Sequence, residues 1–366
     1  MKILIFSLAY HPFIGGAEVA IKSITDRLPN VEWEMITVNL DGKQKSSEKL
    51  GNVLIHRVGN SKLDKYRFPW LAYKKAKELQ KKGGYNIIWA MMANQAGWAA
   101  LKFKKKFSQI KYLLTLQEGD SELDIWWRTW FMRPLYKNIY RKADKIQAIS
   151  KFLAKRAERM GYGGKIEVVP NGVKSEWLGR LDYTELIKSR NPRQIITTSR
   201  LEKKNGIESL IRSMVDVDGQ LIILGDGSLR NRFQGLIGDL GLNNKVNIVG
   251  QVSNSEVYQH LAESAVFVRP SLSEGLGNSF LEAMAMYVPI VGTAVGGIVD
   301  FLEDNKTGMV CQPKNPRDIA EKINYILDEK NKEEVEQIVK QARELVVRKY
   351  NWDDIAKKME NIFKGL

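Results

Sequence analysis

The sequence predicts an α/β chain of two Rossmann-like, doubly wound parallel-sheet domains, and three observations carry that expectation. Short apolar, β-branched runs alternate with amphipathic helical stretches from end to end, as parallel strands and crossover helices do. At 366 residues the chain exceeds what one hydrophobic core usually organises, and its composition, 44% hydrophobic and 27% charged, is that of an ordinary globular protein. Residues 170–193 hold turn signals and the prolines Pro170 and Pro192 between two sets of strands. This places the domains at 1–180 and 181–351, and no internal repeat interrupts either.

In the first set the expected strands are residues 2–8, 32–38, 53–58, 86–91, 111–116, 145–150 and 166–170. The opening run "MKILIFSLAY" reads as the first buried strand, because no small-residue cleavage site follows it. Residues 83–101 carry no charge, long enough to raise a membrane span, but Asn86, Asn94, Gln95 and glycines break the run into strand, loop and helix. In the second set the strands are residues 194–199, 220–225, 245–250, 265–270, 289–293 and 308–312. In open sheets of this kind ligands collect at the carboxyl ends of strands. The loops "HPFIGGAE", "LQEGD", "SRLEKKNG" and "PSLSEGLGNSF" all follow strands, and two such domains would face one another across a central cleft.

The single cysteine, Cys311, excludes a disulfide framework or a multi-cysteine metal site within one chain and fits a reducing, cytoplasmic setting. Formal net charge is +15, and residues 1–175 hold 32 Lys+Arg against 15 Asp+Glu, so the excess lies wholly in the first half. "KKAKELQKK", "KFKKKF" and "RKADK" share that half with "IWWRTWFMRPLY", where aromatics and arginines interleave. The bland reading is a set of solvated lysine faces; the functional one is an anionic membrane surface, docked peripherally, or an anionic acceptor. Nucleic acid is disfavoured, since no zinc-finger spacing, aromatic RNA-binding strand or heptad-plus-basic region is present.

The stretch "PSLSEGLGNSFLEAMAMYVP" poses the chemical question. Glu274 lies in a glycine-rich turn and Glu282 early in the helix that follows, with Asn278 as its expected N-cap, so the two carboxylates converge. The N–H groups of Gly277, Asn278 and Ser279 at that helix start favour a phosphate. Carboxylates beside a phosphate would repel it, so they should hold neutral hydroxyls, and a ligand with both phosphate and sugar hydroxyls satisfies both demands.

"EGLGNSFLE" is similar to the E-x7-E motif of glycosyltransferase family 4, retaining enzymes of the GT-B fold. The resemblance spans nearly the whole chain: "YHPFIGGAE", "AISKFLAKRAERMGY", "VVPNGV", "TSRLEKKNG", "ILGDGSLR", "PIVGTAVGGIVDFLEDNKTGMV" and "YNWDDIAKKMENIF" follow in the family's order and spacing. It implies that Glu282 binds ribose hydroxyls of a nucleotide sugar, that Glu274 contacts the donor sugar, and that Arg200 and Lys204 hold the diphosphate. The family's lysine commonly sits directly before the glycine, where this chain has Asn205, and Lys203 could substitute for Lys204. Gly15 and Gly16, by themselves a common turn, become a phosphate contact in that context, and Gly225, Gly275, Leu276, Gly277, Asn278 and Ser279 group with the donor site.

Where many relatives carry His after the fifth strand, this chain offers Gln117, Glu118 and Asp120. With His11 and Asn171 these are the candidates for acceptor or sugar contacts, and loop solvation is the alternative for Glu118 and Asp120. The resemblance also implies a terminal helix, 352–366, that rejoins the first domain. "DVD" at 216–218 resembles a metal-binding motif of another glycosyltransferase fold but sits in an ordinary acidic turn, and His11, His56 and His260 lack ligand spacing, so no metal or other cofactor is expected. The activity implied is transfer from a nucleotide-diphosphate sugar to a hydroxyl of a glycan or lipid-linked acceptor. A nucleotide-sugar epimerase of the same fold and a non-catalytic binder of glycans or anionic lipids are the rivals.

Overall fold

Parallel strands are buried on both faces and so need continuous apolar runs. Those of the first unit supply them. Its strands are β1 (Lys2–Phe6), β2 (Glu32–Val38), β3 (Ser47–Leu50), β4 (Val53–Val58), β5 (Ile87–Met91), β6 (Lys111–Leu116), β7 (Lys145–Ala148) and β8 (Ile166–Val168). They form one sheet in the order β3-β4-β2-β1-β5-β6-β7-β8, parallel except for the β3–β4 pair. The computed structural model describes residues 1–179 and 183–366 and divides into two units, Met1–Asn171 with Trp352–Leu366, and Gly172–Asn351.

All seven strands expected in this unit are present, and the uncharged stretch 83–101 resolves into β5 and the start of the helix Gln95–Lys106. β3 was not anticipated. Its Ser-Glu-Lys-Leu sequence has no apolar run because it is an edge strand pairing on one side only, where polar residues also discourage further pairing.

Helix Trp352–Lys364 covers one face of this sheet. Trp352, Ile355, Met359, Ile362 and Phe363 are buried in the same core as Ile3, Ile5 and Val53. The Phe363 ring sits 5.5 Å from Trp33 and 5.3 Å from Trp89, both edge-on. Arg27 also bonds Asp353 at 2.6 Å. Beneath these rings a buried polar chain runs across the strands: Trp89 Nε1 donates to Thr115 Oγ1 (2.8 Å) and Thr115 to Gln147 Oε1 (2.7 Å). Trp89, Thr115 and Gln147 thus satisfy one another, the condition for placing this Thr and Gln in strand interiors.

In the second unit β9 (Asn191–Thr198), β10 (Gln220–Leu224), β11 (Val246–Gly250), β12 (Ser264–Arg269), β13 (Ile290–Thr293) and β14 (Met309–Cys311) form a wholly parallel sheet, in the order β11-β10-β9-β12-β13-β14. Strand order reverses between β1 and β5 in the first sheet and between β9 and β12 in the second. The loops that leave those strands splay apart at these points and open a crevice.

The expected boundary at 180 and 181 falls on residues outside the described ones. The division itself comes earlier, after Asn171, because the following segment is tied to the second unit. Val173 bridges Asn351 and donates its N–H to the Tyr350 carbonyl at 2.8 Å. Arg343, 6% exposed on the helix Lys332–Lys349, donates to the carbonyls of Trp177 (3.2 Å), Leu178 (3.4 Å), Gly179 (2.6 Å) and Ala285, with its guanidinium 4.6 Å from the centre of the Tyr287 ring.

Truncating that side chain leaves several buried carbonyls without donors. Arg343→Ala is expected to cost the second unit about 3 kcal/mol, read as a lower urea midpoint; an unchanged midpoint would show that the clamp contributes nothing.

Candidate active site

The second unit gathers its polar residues at the reversal between β9 and β12. A turn, Arg200–Gly206, leaves β9, and Asn205, 1% exposed, fixes it by donating Nδ2–H to the Arg200 carbonyl at 2.7 Å. Gly206 sits at φ 72°, and a Cβ there would run into the Pro270 carbonyl oxygen, so only glycine lets this turn lie against the loop leaving β12. The Lys204 carbonyl accepts the Leu272 N–H at 2.6 Å and joins the two loops a second time.

Arg269, the last residue of β12, holds the arrangement from below. Its Nη1 donates to Ser279 Oγ (2.9 Å), its Nη2 to Asn205 Oδ1 (2.9 Å), and its Nη2 also pairs with the Glu274 carboxylate. The pair is largely withdrawn from solvent, with side chains 12% and 16% exposed. One planar guanidinium therefore connects the β9 turn, the Glu274 loop and the first turn of the helix Asn278–Ala285, which a Lys point charge could not span. From the other side the Gly297 N–H donates to the Glu274 carbonyl at 3.0 Å, and Gly296, at φ 58°, is packed against the same carbonyl.

Gly277, not Asn278, caps that helix. It adopts φ 91°, and Asn278 is already the first helical residue, because the chain must turn sharply out of the buried Gly275-Leu276 loop to start the helix. Ser279 keeps its place in the first turn but spends its hydroxyl on Arg269. Glu282 is half-buried on this helix, and burial raises its carboxyl to about 7 against the opposing pull of Lys174 and Arg269. Both motif carboxylates thus answer to one guanidinium, Glu274 by contact and Glu282 through its field.

Arg200 is exposed and Lys204 half-exposed, both on the turn that Asn205 braces. Gly225 is packed against the Ser199 carbonyl and donates its own N–H to Gly250 at 2.7 Å; that amide is engaged within the fold and shapes the loop after β10 instead of offering a donor. Asp218 of the acidic turn pairs with Arg193.

In the first unit Gly15 caps the helix Gly16–Arg27, and its N–H donates to Glu18 Oε2 at 2.8 Å. That amide is therefore occupied by a capping carboxylate, leaving Gly16, exposed in the first turn, as the nearer fit to the expected phosphate contact. Gln117 and Asn171 lie side by side, exchanging side-chain bonds at 3.2 and 3.3 Å.

Glu118 does not reach outward as an acceptor-side base. Its carboxylate is turned inward, taking the N–H groups of Ala93 and Gln117, and burial raises its pKa. Arg156, fully buried, donates to the carbonyls of Glu118 (3.1 Å) and Asp120 (2.6 Å) and so fixes the loop. The Asp120 side chain pairs with Arg128 at 2.5 Å. His11 lies edge-on to Tyr10 and is half-buried, which lowers its pKa, and its Nε2 has no partner among the described residues.

The residues that sequence reasoning passed over are Arg269, Asn205 as a brace, and Arg156. Arg269 had a signal: it is the one charge closing the otherwise apolar run "AVFVRP", five residues before Glu274. Among the described residues no cluster of His, Cys, Asp and Glu has metal-ligand geometry.

Arg269→Met, which keeps the stem but strands Glu274, Asn205 and Ser279, is expected to destabilise the second unit by about 3 kcal/mol. Arg269→Lys should recover only part of that loss in the same unfolding experiment, since it restores charge without the fork.

Residues 14–177 match a family model described as Glycosyltransferase Family 4, and residues 184–345 match another described as Glycosyl transferases group 1. An uncharacterized glycosyltransferase of Methanocaldococcus jannaschii is 27% identical across 100% of this chain and 99% of its own length. A GDP-mannose-dependent alpha-(1-6)-phosphatidylinositol monomannoside mannosyltransferase of Mycobacterium tuberculosis is 26% identical over 64% of this chain and 66% of its own. Among solved structures, sucrose-phosphate synthase of Thermosynechococcus elongatus superposes with a TM-score of 0.86 at 21% identity, covering 100% of this chain and 98% of that one. Anabaena HepE in complex with UDP-glucose gives 0.82 at 18% identity over 100% of both. With two Rossmann-like parallel-sheet units, the E-x7-E loop at a strand-order reversal and family models matching both units, the chain belongs to the family 4 glycosyltransferases of GT-B fold.

Proposed function

We propose that the chain moves a sugar from a nucleotide-diphosphate sugar to an acceptor hydroxyl, with the donor held by the second unit and the acceptor by the first. The observation that carries this reading is the guanidinium of Arg269, which holds Glu274, Ser279 and Asn205 together at the β9–β12 reversal, beside the cationic turn bearing Arg200 and Lys204. HepE, with UDP-glucose bound, and the GDP-mannose-dependent relative support a nucleotide sugar as donor.

In this reading Arg200 and Lys204 face the diphosphate, with Lys203 the alternate cation, and the helix start at Gly277, Asn278 and Ser279 adds its positive end. Gly275 and Leu276 line the donor loop, and Gly16 is the phosphate contact expected of the first unit. Glu282 accepts from ribose hydroxyls, and Glu274 holds hydroxyls of the donor sugar. As the bond between anomeric carbon and phosphate oxygen breaks, negative charge grows on the departing diphosphate, and fixed cations stabilise that charge more than the ground state.

The acceptor oxygen bonds the anomeric carbon on the same face, and its proton passes to the departing phosphate oxygen. Configuration is retained, no side chain need act as base, and no metal is required. The inward-facing Glu118 accords with this, as does the amide of Gln117, which can orient a hydroxyl but not take its proton. Asn171, Asp120 and His11 line the acceptor side. The acceptor is a glycan or a lipid-linked sugar, as with the phosphatidylinositol monomannoside mannosyltransferase. The enzyme works in the cytoplasm, peripheral to the membrane.

A thermal-shift panel of UDP, GDP, ADP, dTDP and CMP sugars tests donor binding directly, since a ligand specific to the folded state raises apparent stability. At least one member should raise the midpoint, and no shift with any would overturn the reading. Glu274→Gln should lower transfer by about 100-fold or more while nucleotide affinity stays near wild type; equal turnover would remove Glu274 from the chemistry.

Glu282 yields a pH dependence of definite sign. Its pKa, raised to about 7, means the folded protein holds this proton through weakly acidic pH, so its ionisation lowers stability as pH rises from about 4.5 to about 7. Ribose hydroxyls donating to both oxygens need the carboxylate, so binding must first expel that proton. Affinity for a nucleotide sugar, whose diphosphate does not titrate in this range, should tighten roughly tenfold from about pH 6 to about pH 8. Glu282→Gln should flatten the profile, and a wild-type profile already flat would contradict the assignment.

A further inference from the structure

The first unit carries an outcrop of apolar side chains that no core covers. Leu123, Trp126, Trp127, Trp130, Phe131 and Leu135 are between 41% and 72% exposed, although they span only thirteen residues. In the helix Glu122–Thr129 only Ile125 is buried, which inverts the pattern of a core-facing helix. The rings contact one another instead: Trp126 meets Trp127 edge-on at 5.0 Å, and Trp130 meets Phe131 at 6.1 Å.

Local charge is arranged to leave a positive surplus. Glu122 pairs with Arg159 and Asp120 with Arg128, while Asp124 accepts the Ser121 hydroxyl at 2.6 Å. Arg133 and Lys137 have no acidic partner among the described residues. A second outcrop begins the helix Asp64–Lys82, where Leu63, Tyr66 and Trp70 (61–72% exposed) alternate with the exposed Lys62 and Lys65. The Lys102 ammonium lies 5.2 Å from the Trp70 ring centre.

Both outcrops follow the carboxyl ends of strands, one after β4 and one after β6. They lie at the edge of the sheet that also bears His11, Gly16 and the Gln117–Asp120 loop. Tryptophans flanked by lysine and arginine are the composition of a bilayer interface, where an amphipathic ring can sit at headgroup depth while cations meet anionic phosphates. The helix Glu122–Thr129 has 8 residues, too few to span a bilayer but enough to lie along its interface, and no described helix is long and apolar enough to cross a membrane.

We infer that this rim docks on an anionic lipid bilayer, with Trp127, Trp130 and Phe131 seated among the headgroups and Arg133 and Lys137 against anionic phosphates. The inference gives a site to the peripheral attachment proposed above and presents the acceptor loop, only a few residues upstream, at the bilayer surface.

The test is flotation of the full chain with vesicles of phosphatidylcholine alone or mixed with phosphatidylglycerol. Wild type should float with the mixed vesicles, and its tryptophan emission should be quenched by brominated lipid. The triple variant Trp127→Ser, Trp130→Ser, Phe131→Ser, confirmed folded by circular dichroism, should bind roughly tenfold or more weakly. Arg133→Gln with Lys137→Gln should weaken binding to the mixed vesicles selectively. Equal flotation of the triple variant, or no flotation of wild type, overturns the inference. So does a wild-type dimer that the triple variant dissolves without vesicle binding, since the outcrop is then a self-association face. Donor binding in the thermal-shift panel is read separately and should survive in the triple variant. Its absence from wild type would defeat the catalytic reading while leaving the docking result standing.

Discussion

The second unit depends on one guanidinium. Arg269 leaves the end of β12 nearly out of solvent, where a bare cation is costly, and the cost is offset only because three acceptors on three different segments meet its fork. That constraint runs both ways. The Glu274 loop can hold a carboxylate near the cationic turn because Arg269 already balances it, and the turn keeps its shape because Asn205 bonds Arg269 on one side and the Arg200 carbonyl on the other. Glycine is required twice, at Gly206 and Gly296, where carbonyl oxygens of the same loop press against the neighbouring turns.

The two motif glutamates are consequently in different electrostatic states although they belong to one motif. Glu274 has a contact counter-ion, whereas the Glu282 carboxylate accepts no hydrogen bond among the described residues, and burial works against its charge with only the field of Lys174 and Arg269 in opposition. A carboxylate already paired suits a position beside developing positive charge. One poised near neutrality suits hydroxyls that arrive with the ligand and supply the missing donors.

Much of this architecture was legible in the sequence, and the exceptions have physical causes. Thirteen strands announce themselves as apolar runs because parallel strands are buried on both faces; β3 does not, because an edge strand can be Ser-Glu-Lys-Leu. The motif located Glu274 and Glu282, but spacing along the chain is blind to side-chain direction. It therefore left Glu118 open between an acceptor or sugar contact and loop solvation, whereas the carboxylate turns in toward the Ala93 amide, and counted the Gly15 amide as available when Glu18 caps it. Asn278 was read as a cap from its residue type, although the left-handed turn at Gly277 fixes the cap one residue earlier. Arg156 and Arg343 escaped notice for a similar reason: each binds main-chain carbonyls, and carbonyls leave no mark in a sequence.

The choice of Asn directly before Gly206 follows from the same network. Position 205 is 1% exposed and lies within hydrogen-bond reach of the Arg269 fork. An ammonium there would place two cations together in a poorly solvated site, whereas an amide can accept from the guanidinium with its oxygen and donate to the Arg200 carbonyl with its nitrogen. Asn205 and Arg269 thus form one choice, not two. With Asn at position 205, the cations of the turn are Arg200, Lys203 and Lys204, exposed or half-exposed on its surface.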